Sequence, residues 1–211
     1  PVKLTGWMGK APRKFSFMEE VQPVLDKNCV RCHDFDPKNR DKLVLAKDKN
    51  PFFNAAYVNL YVKKEITLIG GGPAPIQEPY SWGAHASKLT KVIDGNHQGV
   101  KLSPKEKEIL YTWMDLNGVY YPVYESAFDS TLAGRSPLYN QEIEVNIWDL
   151  NNHGRKLTAQ ISFDRPEVSP CLDKIRNDKQ KYTRAVEIIR TGQKRLKATP
   201  RGDIEKDLVP C

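Results

Sequence analysis

The chain has 211 residues, with 33 lysines and arginines against 26 aspartates and glutamates, which gives a formal net charge of +7. This length is enough for one or two small domains with a buried core, and no apolar run approaches the about 20 residues of a membrane span. The densest basic run, residues 179–201, has no recognition motif and a single aromatic residue, Tyr182, which argues against nucleic-acid binding.

An extended arm is predicted for residues 1–14, followed by a first helix at residues 16–27. Apolar residues recur at helical spacing in this segment, and Ser16 with Glu19 has the pattern of a capping box. Because the chain starts at Pro1 and has no signal peptide, we expect a mature or excised form.

Directly after this helix comes Cys29-Val30-Arg31-Cys32-His33, the attachment signature of c-type haem. Each cysteine can add its sulfur to one haem vinyl group, and the spacing of one turn matches the separation of the two vinyls. His33 then lies under the ring, where its imidazole can bind iron. We therefore predict one covalent haem c, held by Cys29 and Cys32, with His33 as the proximal iron ligand. Such attachment takes place outside the cytoplasm, so we expect a periplasmic or extracellular protein.

Two other interpretations of the cysteine pair are weaker. A zinc site needs four ligands, usually with a second pair at similar spacing, and Cys171 and Cys211 are too far apart to form one. A thioredoxin-like pair follows a strand, whereas the segment before Cys29 is predicted to be helical.

Further helices are predicted within residues 51–69, at 87–94 and from Ser103 onward. Ser103 and Glu106 form a capping box pattern around Pro104, and Gly118 is expected to end this helix. An early helix that leads to the haem motif and a late amphipathic helix are typical of a cytochrome c fold, which we predict for residues 15–125. The candidates for packing against the haem ring are Tyr57, Trp82 and Trp113.

The sixth iron ligand is predicted to be His97. None of the three methionines lies in the loop before the last helix of this unit, where small cytochromes usually place their methionine, and His97 lies there instead. His85, just before the predicted helix at 87–94, is the second candidate. A third possibility is an open or tyrosine-ligated position, with a polar distal group from Tyr57, Tyr61 or Tyr80.

The remainder, residues 126–211, is predicted to be a small α+β extension. Alternating apolar residues at 142–148 and 157–163 predict two strands of a hairpin with a turn at 151–154. A long amphipathic helix is predicted at residues 179–197. The whole chain is therefore expected to be mainly α, with an arm, a cytochrome c-like domain and this extension.

Cys171 and Cys211 are predicted to form a disulfide, since thiols of an exported protein meet an oxidising environment. Closing the loop between them would stabilise the fold by about 3–4 kcal/mol in the chain-entropy model. Two unpaired cysteines, or an intermolecular bond through Cys211, are the alternatives.

Six segments taken together resemble a known family. They are FMEEVQPVLDKNCVRCH at 17–33, GAHASKL at 83–89, GNHQGVKL at 95–102, WMDLNGVYYPVY at 113–124, ISFDRPEVSPCL at 161–172 and PRGDIEKDLVPC at 200–211. They resemble the haem-bearing C-terminal part of hydrazine synthase alpha-subunit-like proteins, which are exported multi-domain cytochromes. The resemblance implies that His97 is the distal iron ligand. The family enzyme carries several haems, whereas this chain has one CxxCH, so the resemblance implies an electron-relay domain and not hydrazine synthesis.

The sequence thus predicts an exported monohaem cytochrome that carries electrons through a bis-histidine haem to a redox partner. Because the chain is basic, an acidic partner protein would be attracted to it. One competing hypothesis is an enzyme with a five-coordinate haem that acts on peroxide or small nitrogen compounds. Another is a subunit whose haem stacks with others in a larger electron-conducting assembly.

Overall fold

The computed structural model of the chain describes residues 6–10, 13–36, 38, 42–70, 75–123, 125–143 and 160–203. This part contains seven α-helices: α1 (Gln22–Asn28), α2 (Ala55–Val62), α3 (Gly83–Ala86), α4 (Lys88–Asp94), α5 (Pro104–Asp115), α6 (Asn140–Ile143) and α7 (Lys179–Ala198). A π-helical turn, Phe17–Val21, precedes α1, and 3-10 turns lie at Trp7–Gly9, Leu132–Gly134, Pro166–Val168 and Pro170–Ile175. The prediction of a mainly α chain is confirmed for these residues, whose only β pairing is an isolated bridge between Lys49 and Asn54.

The first helix begins differently from its prediction. Its first turn, Phe17–Val21, is π-helical and joins α1 just before Pro23, which lacks an N–H group. The Ser16 side chain makes no capping hydrogen bond, so the predicted capping box with Glu19 is wrong. A tertiary contact replaces it, because the Phe17 N–H donates to the carbonyl of Tyr120 at 3.1 Å.

Helix α5 has the predicted capping box. The Ser103 hydroxyl accepts from the Glu106 N–H, and the Glu106 carboxylate accepts from the Ser103 N–H at 2.7 Å. This helix packs antiparallel to the first one: the ring of Phe17 meets the edge of Trp113 at 5.1 Å, and at the other end the Lys27 ammonium donates to Glu106 at 2.8 Å.

Most of the predicted hairpin, residues 144–159, lies outside the described residues. The described ends of the two predicted strands are not strands: Glu142 belongs to α6, and residues 160–163 pair with no neighbouring strand. The Glu142 carboxylate accepts from the Tyr139 N–H at 2.8 Å and from Arg195 at 2.6 Å. These bonds hold a short helical turn where alternation alone predicted an extended chain.

The described part of the chain has two large apolar cores and a smaller apolar cluster of Phe35, Val44, Ala46 and Ala55. The first core lies between residues 15 and 121, and its fully buried members include Phe17, Leu25, Leu60, Leu110, Trp113 and Met114. The second core packs α7 against the turns before it, and includes Leu138, Ile161, Phe163, Leu172 and Ile189. Within the described part, no helix combines the length and the apolar character needed to cross a bilayer.

A fully buried ion pair joins the end of the described chain to the first core. The Arg201 guanidinium donates to Asp203 at 2.9 Å and to the carbonyls of Asn50 and Pro51 at 2.8 and 2.9 Å. The Tyr120 hydroxyl donates to the same Asp203 carboxylate at 2.9 Å. Because both charges are bonded, the pair can be buried without an unsatisfied ion.

We expect Glu106→Ala to lower the free energy of unfolding by about 1 kcal/mol at pH 7, the usual cost of a lost cap. The hydrogen bond from Lys27, followed by those from Ser103, lowers the pKa of Glu106 from 4.5 to about 2. A lowered carboxyl pKa stabilises the fold above pH 4.5, and this contribution is lost as the pH falls towards 2. The difference between the two proteins should therefore shrink over this range in urea unfolding. Glu108→Ala, at an exposed position of the same helix, is the control; an equal loss there would contradict the assignment.

Gly192 in α7 touches the second core, and we expect Gly192→Ala to destabilise the protein by about 1–3 kcal/mol. An added Cβ would overlap the Phe163 ring and lie 3.0 Å from Leu138. In an unobstructed helix the same change stabilises by about 1 kcal/mol, so the sign of the effect, measured by thermal unfolding, reports the packing. A stabilised variant would show that α7 does not approach Phe163 this closely.

Candidate functional site

The Cys29–His33 segment forms one compact turn at the end of α1. The Cys29 N–H donates to Leu25 at 2.8 Å, which continues the helix, and the His33 N–H donates to the carbonyls of Cys29 and Val30, both at 3.1 Å. The chain therefore places two thiols and an imidazole on a single turn, the local arrangement that the CxxCH spacing predicts.

The two thiols of this turn differ in exposure. Cys29 is half-buried and Cys32 is exposed, and neither is bonded to another cysteine. Burial, followed by the proximity of Cys32, raises the pKa of the Cys29 thiol to about 11. Redox-active CxxC pairs instead have a thiol whose pKa is lowered, so this environment does not favour a thiol–disulfide oxidoreductase.

The His33 ring is oriented by the segment that follows it. Its Nδ1 lies 3.2 Å from the carbonyl oxygen of Leu43. A carbonyl can only accept, so Nδ1 carries the proton of this hydrogen bond, and Nε2 keeps a lone pair for a metal. The Leu45 N–H donates to the His33 carbonyl at 2.7 Å. Backbone and side chain of His33 are thus both tied to residues 43–45.

His97 faces His33 across a gap. The two ring centroids are 6.0 Å apart, and the ring planes differ by 21°. His97 is exposed and lies on a tight turn, in which its carbonyl accepts from Val100 and the next residue, Gln98, has a φ of 53°. The structure therefore brings together the two histidines that the sequence proposed as axial ligands, although 63 positions separate them in the chain.

The centroid separation of 6.0 Å is compatible with two imidazoles that bind one metal ion. Metal–imidazole bonds of about 2 Å, with about 1 Å from each ring nitrogen to its centroid, require a centroid separation of about 6 Å. The partly buried apolar residues Cys29, Val30, Leu43 and Val100 pack against the first core beside these histidines. Two thiols, two facing imidazoles and an apolar floor fit a covalently attached haem.

His85, the second candidate for the distal ligand, lies elsewhere. Its ring packs on Tyr80 at a centroid distance of 4.6 Å. Both line an open groove of about 590 Å³ together with Trp82, Tyr111 and Asp94. Of the two candidates, His97 is the one that faces His33.

The other residues considered for the iron or its ring have partners in the core. Met114 is fully buried, and the sulfur of Met18 accepts from Asn54 at 3.1 Å. Trp113 donates its indole N–H to Val119 at 2.9 Å. Tyr57 donates its hydroxyl to Gly118 at 2.7 Å, and burial raises its pKa to about 12.

Of the three tyrosines considered as a polar distal group, Tyr61 and Tyr80 are open to solvent. The side chains of Tyr61 and Tyr80 are exposed by 58% and 74%. Among the described residues, no group of three or more His, Cys, Asp or Glu side chains could hold a metal ion.

One contact near His33 had no sequence signal. Arg165 donates to both oxygens of Asp34, at 2.6 and 3.0 Å, and Asp34 directly follows His33. It also donates to both oxygens of Asp48, at 2.7 and 2.8 Å. The hydrogen bond from Arg165 is the main cause that lowers the pKa of Asp34. No periodicity or motif connects residues 131 positions apart.

The predicted disulfide stays a prediction. Cys171 is buried in the second core, and Cys211 lies outside the described residues.

Comparison with known proteins adds no relative: no family model matches the chain, and neither does any curated protein or solved structure.

Proposed function

We propose that this chain is an exported c-type cytochrome domain that carries electrons. One haem c is attached through Cys29 and Cys32, and its iron is bound by His33 and His97. The observation that carries the proposal is the nearly parallel pair of imidazoles at 6.0 Å, directly beside a CxxCH turn. Neither feature alone specifies this cofactor, but a histidine pair spaced for one metal beside two available thiols matches it.

When bound, the haem supplies a one-electron couple at its iron. The chain's own residues set the conditions for that couple. His33 offers Nε2 because its Nδ1 proton is donated to Leu43, and such a bond raises the basicity of the ligand. Since histidine replaces the methionine found in many cytochromes, the reduction potential should be lower than with a methionine ligand.

The position of the site suits transfer of electrons at the surface. Cys32 and His97 are both exposed, so an edge of the cofactor would be accessible to a partner. With both axial positions taken by imidazole, no iron position is left for a substrate, which favours electron transfer over catalysis.

The fold supports a cytochrome c-like unit at residues 15–125, with the remainder as an extension. The first helix leads into the CxxCH turn and packs antiparallel on α5 through Phe17 and Trp113. The resemblance to the haem domain of hydrazine synthase alpha-subunit-like proteins is part of this proposal and rests on the sequence segments alone.

We infer that the partner is an acidic redox protein outside the cytoplasm. The chain carries a net charge of +7. Arg31, Lys47 and Lys101 are exposed basic side chains, each within four residues of a histidine or carbonyl of the candidate site. Positive charge around an electron carrier steers negatively charged partners towards it, and high salt weakens their association because it screens the charges.

A stack of haem subunits would instead show particles much larger than the monomer in size-exclusion chromatography.

Intact mass spectrometry tests the cofactor directly. The protein matured in a host with c-type haem assembly should carry the added mass of one haem, and Cys29→Ala/Cys32→Ala should lack it, because both thioether bonds are removed. A wild-type chain without the added mass would rule out the proposal.

The ligand assignment is tested by His97→Ala. The wild-type absorption spectrum should be that of a low-spin, six-coordinate haem that ignores added CO, and the variant should become high-spin and bind CO. His85→Ala is the matched control and should keep the wild-type spectrum. An unchanged His97→Ala spectrum would remove His97 as a ligand, and a wild-type protein that binds CO would favour the five-coordinate enzyme.

A further inference from the structure

Arg165 connects the second part of the chain to two carboxylates, Asp34 and Asp48. These two residues stand on either side, in the sequence, of Leu43 and Leu45, which hydrogen-bond to His33. Asp34, the residue after His33, receives a two-pronged hydrogen bond at 2.6 and 3.0 Å. The side chain of Asp48 is 5% exposed. Asp48 accepts from Arg165 at 2.7 and 2.8 Å and from the Ser162 hydroxyl at 2.6 Å. Exposed ion pairs contribute little, but two-pronged bonds to a fixed, buried carboxylate give strength and geometry.

The chain between these two carboxylates makes the contacts that orient His33. Leu43 offers its carbonyl to Nδ1 of the ring, and Leu45 donates its N–H to the His33 carbonyl. Residues 44 and 46 belong to a small apolar cluster with Phe35 and Ala55, and Val168, three residues after Arg165, packs against it. The guanidinium lies over the Phe35 ring at 5.4 Å. Arg165 and its neighbours therefore hold Asp34 and Phe35 together with residues 43–48.

We propose that Arg165 is a positioning residue for the proximal ligand: by binding Asp34 and Asp48 together, it keeps the Leu43 carbonyl in hydrogen-bonding distance of His33 Nδ1 and so sets the reduction potential of the haem. This inference rests on the proposed function. It gives Arg165, in the second part of the chain, a role in tuning a site to which it contributes no ligand.

The positioning role and a simple charge effect change the potential in opposite directions. If the bond to Leu43 weakens, His33 becomes a poorer electron donor, the ferric state is less stabilised, and the potential rises. If Arg165 acted only through its charge, its removal would leave two carboxylates uncompensated, which favours the ferric state and lowers the potential. A variant that keeps the positive charge but loses the two-pronged bonds therefore separates the two explanations, because only the positioning role predicts a rise there.

The experiment compares three variants of the haem-loaded chain with the wild type by redox titration. Arg165→Lys keeps the charge but cannot bind both carboxylates with two prongs, so we expect a higher potential than in the wild type. Arg165→Gln removes the charge as well, and because a lost positive charge lowers the potential, its potential should lie below that of Arg165→Lys. Arg190→Gln is the matched control and should leave the potential unchanged. Arg190 forms an exposed ion pair at 2.5 Å with Glu167, which lies two positions after Arg165 in the sequence.

Hydrogen exchange of the Leu45 amide gives a second readout that does not depend on the redox couple. This N–H donates to His33, so we expect it to exchange about tenfold faster in Arg165→Gln and at the wild-type rate in Arg190→Gln. If Arg165→Gln does not fold, Arg165→Lys provides both readouts.

An unchanged or lowered potential in Arg165→Lys, or an unaffected Leu45 amide, would overturn the positioning role while leaving the proposed function intact. A wild-type chain without covalent low-spin haem would overturn the proposed function, and this inference with it. Because wild-type mass and spectrum are measured first, the two failures are distinguished.

Discussion

The antiparallel contact between the first helix and α5 is the constraint on which the candidate site depends. Phe17 packs on Trp113 at one end, and Lys27 binds Glu106 at the other. The CxxCH turn follows the first helix directly, and the turn with His97 lies just before α5. Fixing the two helices therefore fixes the separation of the two imidazoles. A pair of facing histidines is thus a consequence of helix packing, and no contact between the rings themselves is needed to explain it.

Two arginines of the second part of the chain, Arg165 and Arg201, connect it to residues that lie between His33 and α2. Arg201 is fully buried, and its charge is met by Asp203 and by backbone carbonyls, so the energetic cost of burial is offset by a complete set of partners. Arg165 is half-exposed and joins Asp34 to Asp48 beside the proximal histidine. The extension therefore makes specific polar contacts with the haem-motif unit and does not merely follow it in sequence.

Patterns with a short range in sequence were sufficient for several features. The compact Cys29–His33 turn needs only five adjacent residues, and the α5 capping box, confirmed by the structure, needs only Ser103 and Glu106. The long amphipathic helix was predicted at residues 179–197 and is found as α7, Lys179–Ala198, because its apolar stripe repeats over many turns. In each case the determining interactions lie within one or two turns of the chain, where sequence spacing and spatial distance coincide.

The tertiary structure decided what depends on distant residues. The sequence offered His85 and His97 as distal ligands, and helix packing brings His97 to His33. Local rules predicted a capped start at Ser16, but the carbonyl of Tyr120, more than 100 positions away, takes the N–H of Phe17. The contacts of Arg165 with Asp34 and Asp48 correspond to no motif or periodicity in the sequence. The sequence by itself determined the Cys29–His33 turn and the main helices, because the interactions that form them are local. Packing decided which distant residues each side chain contacts, because no local pattern specifies them.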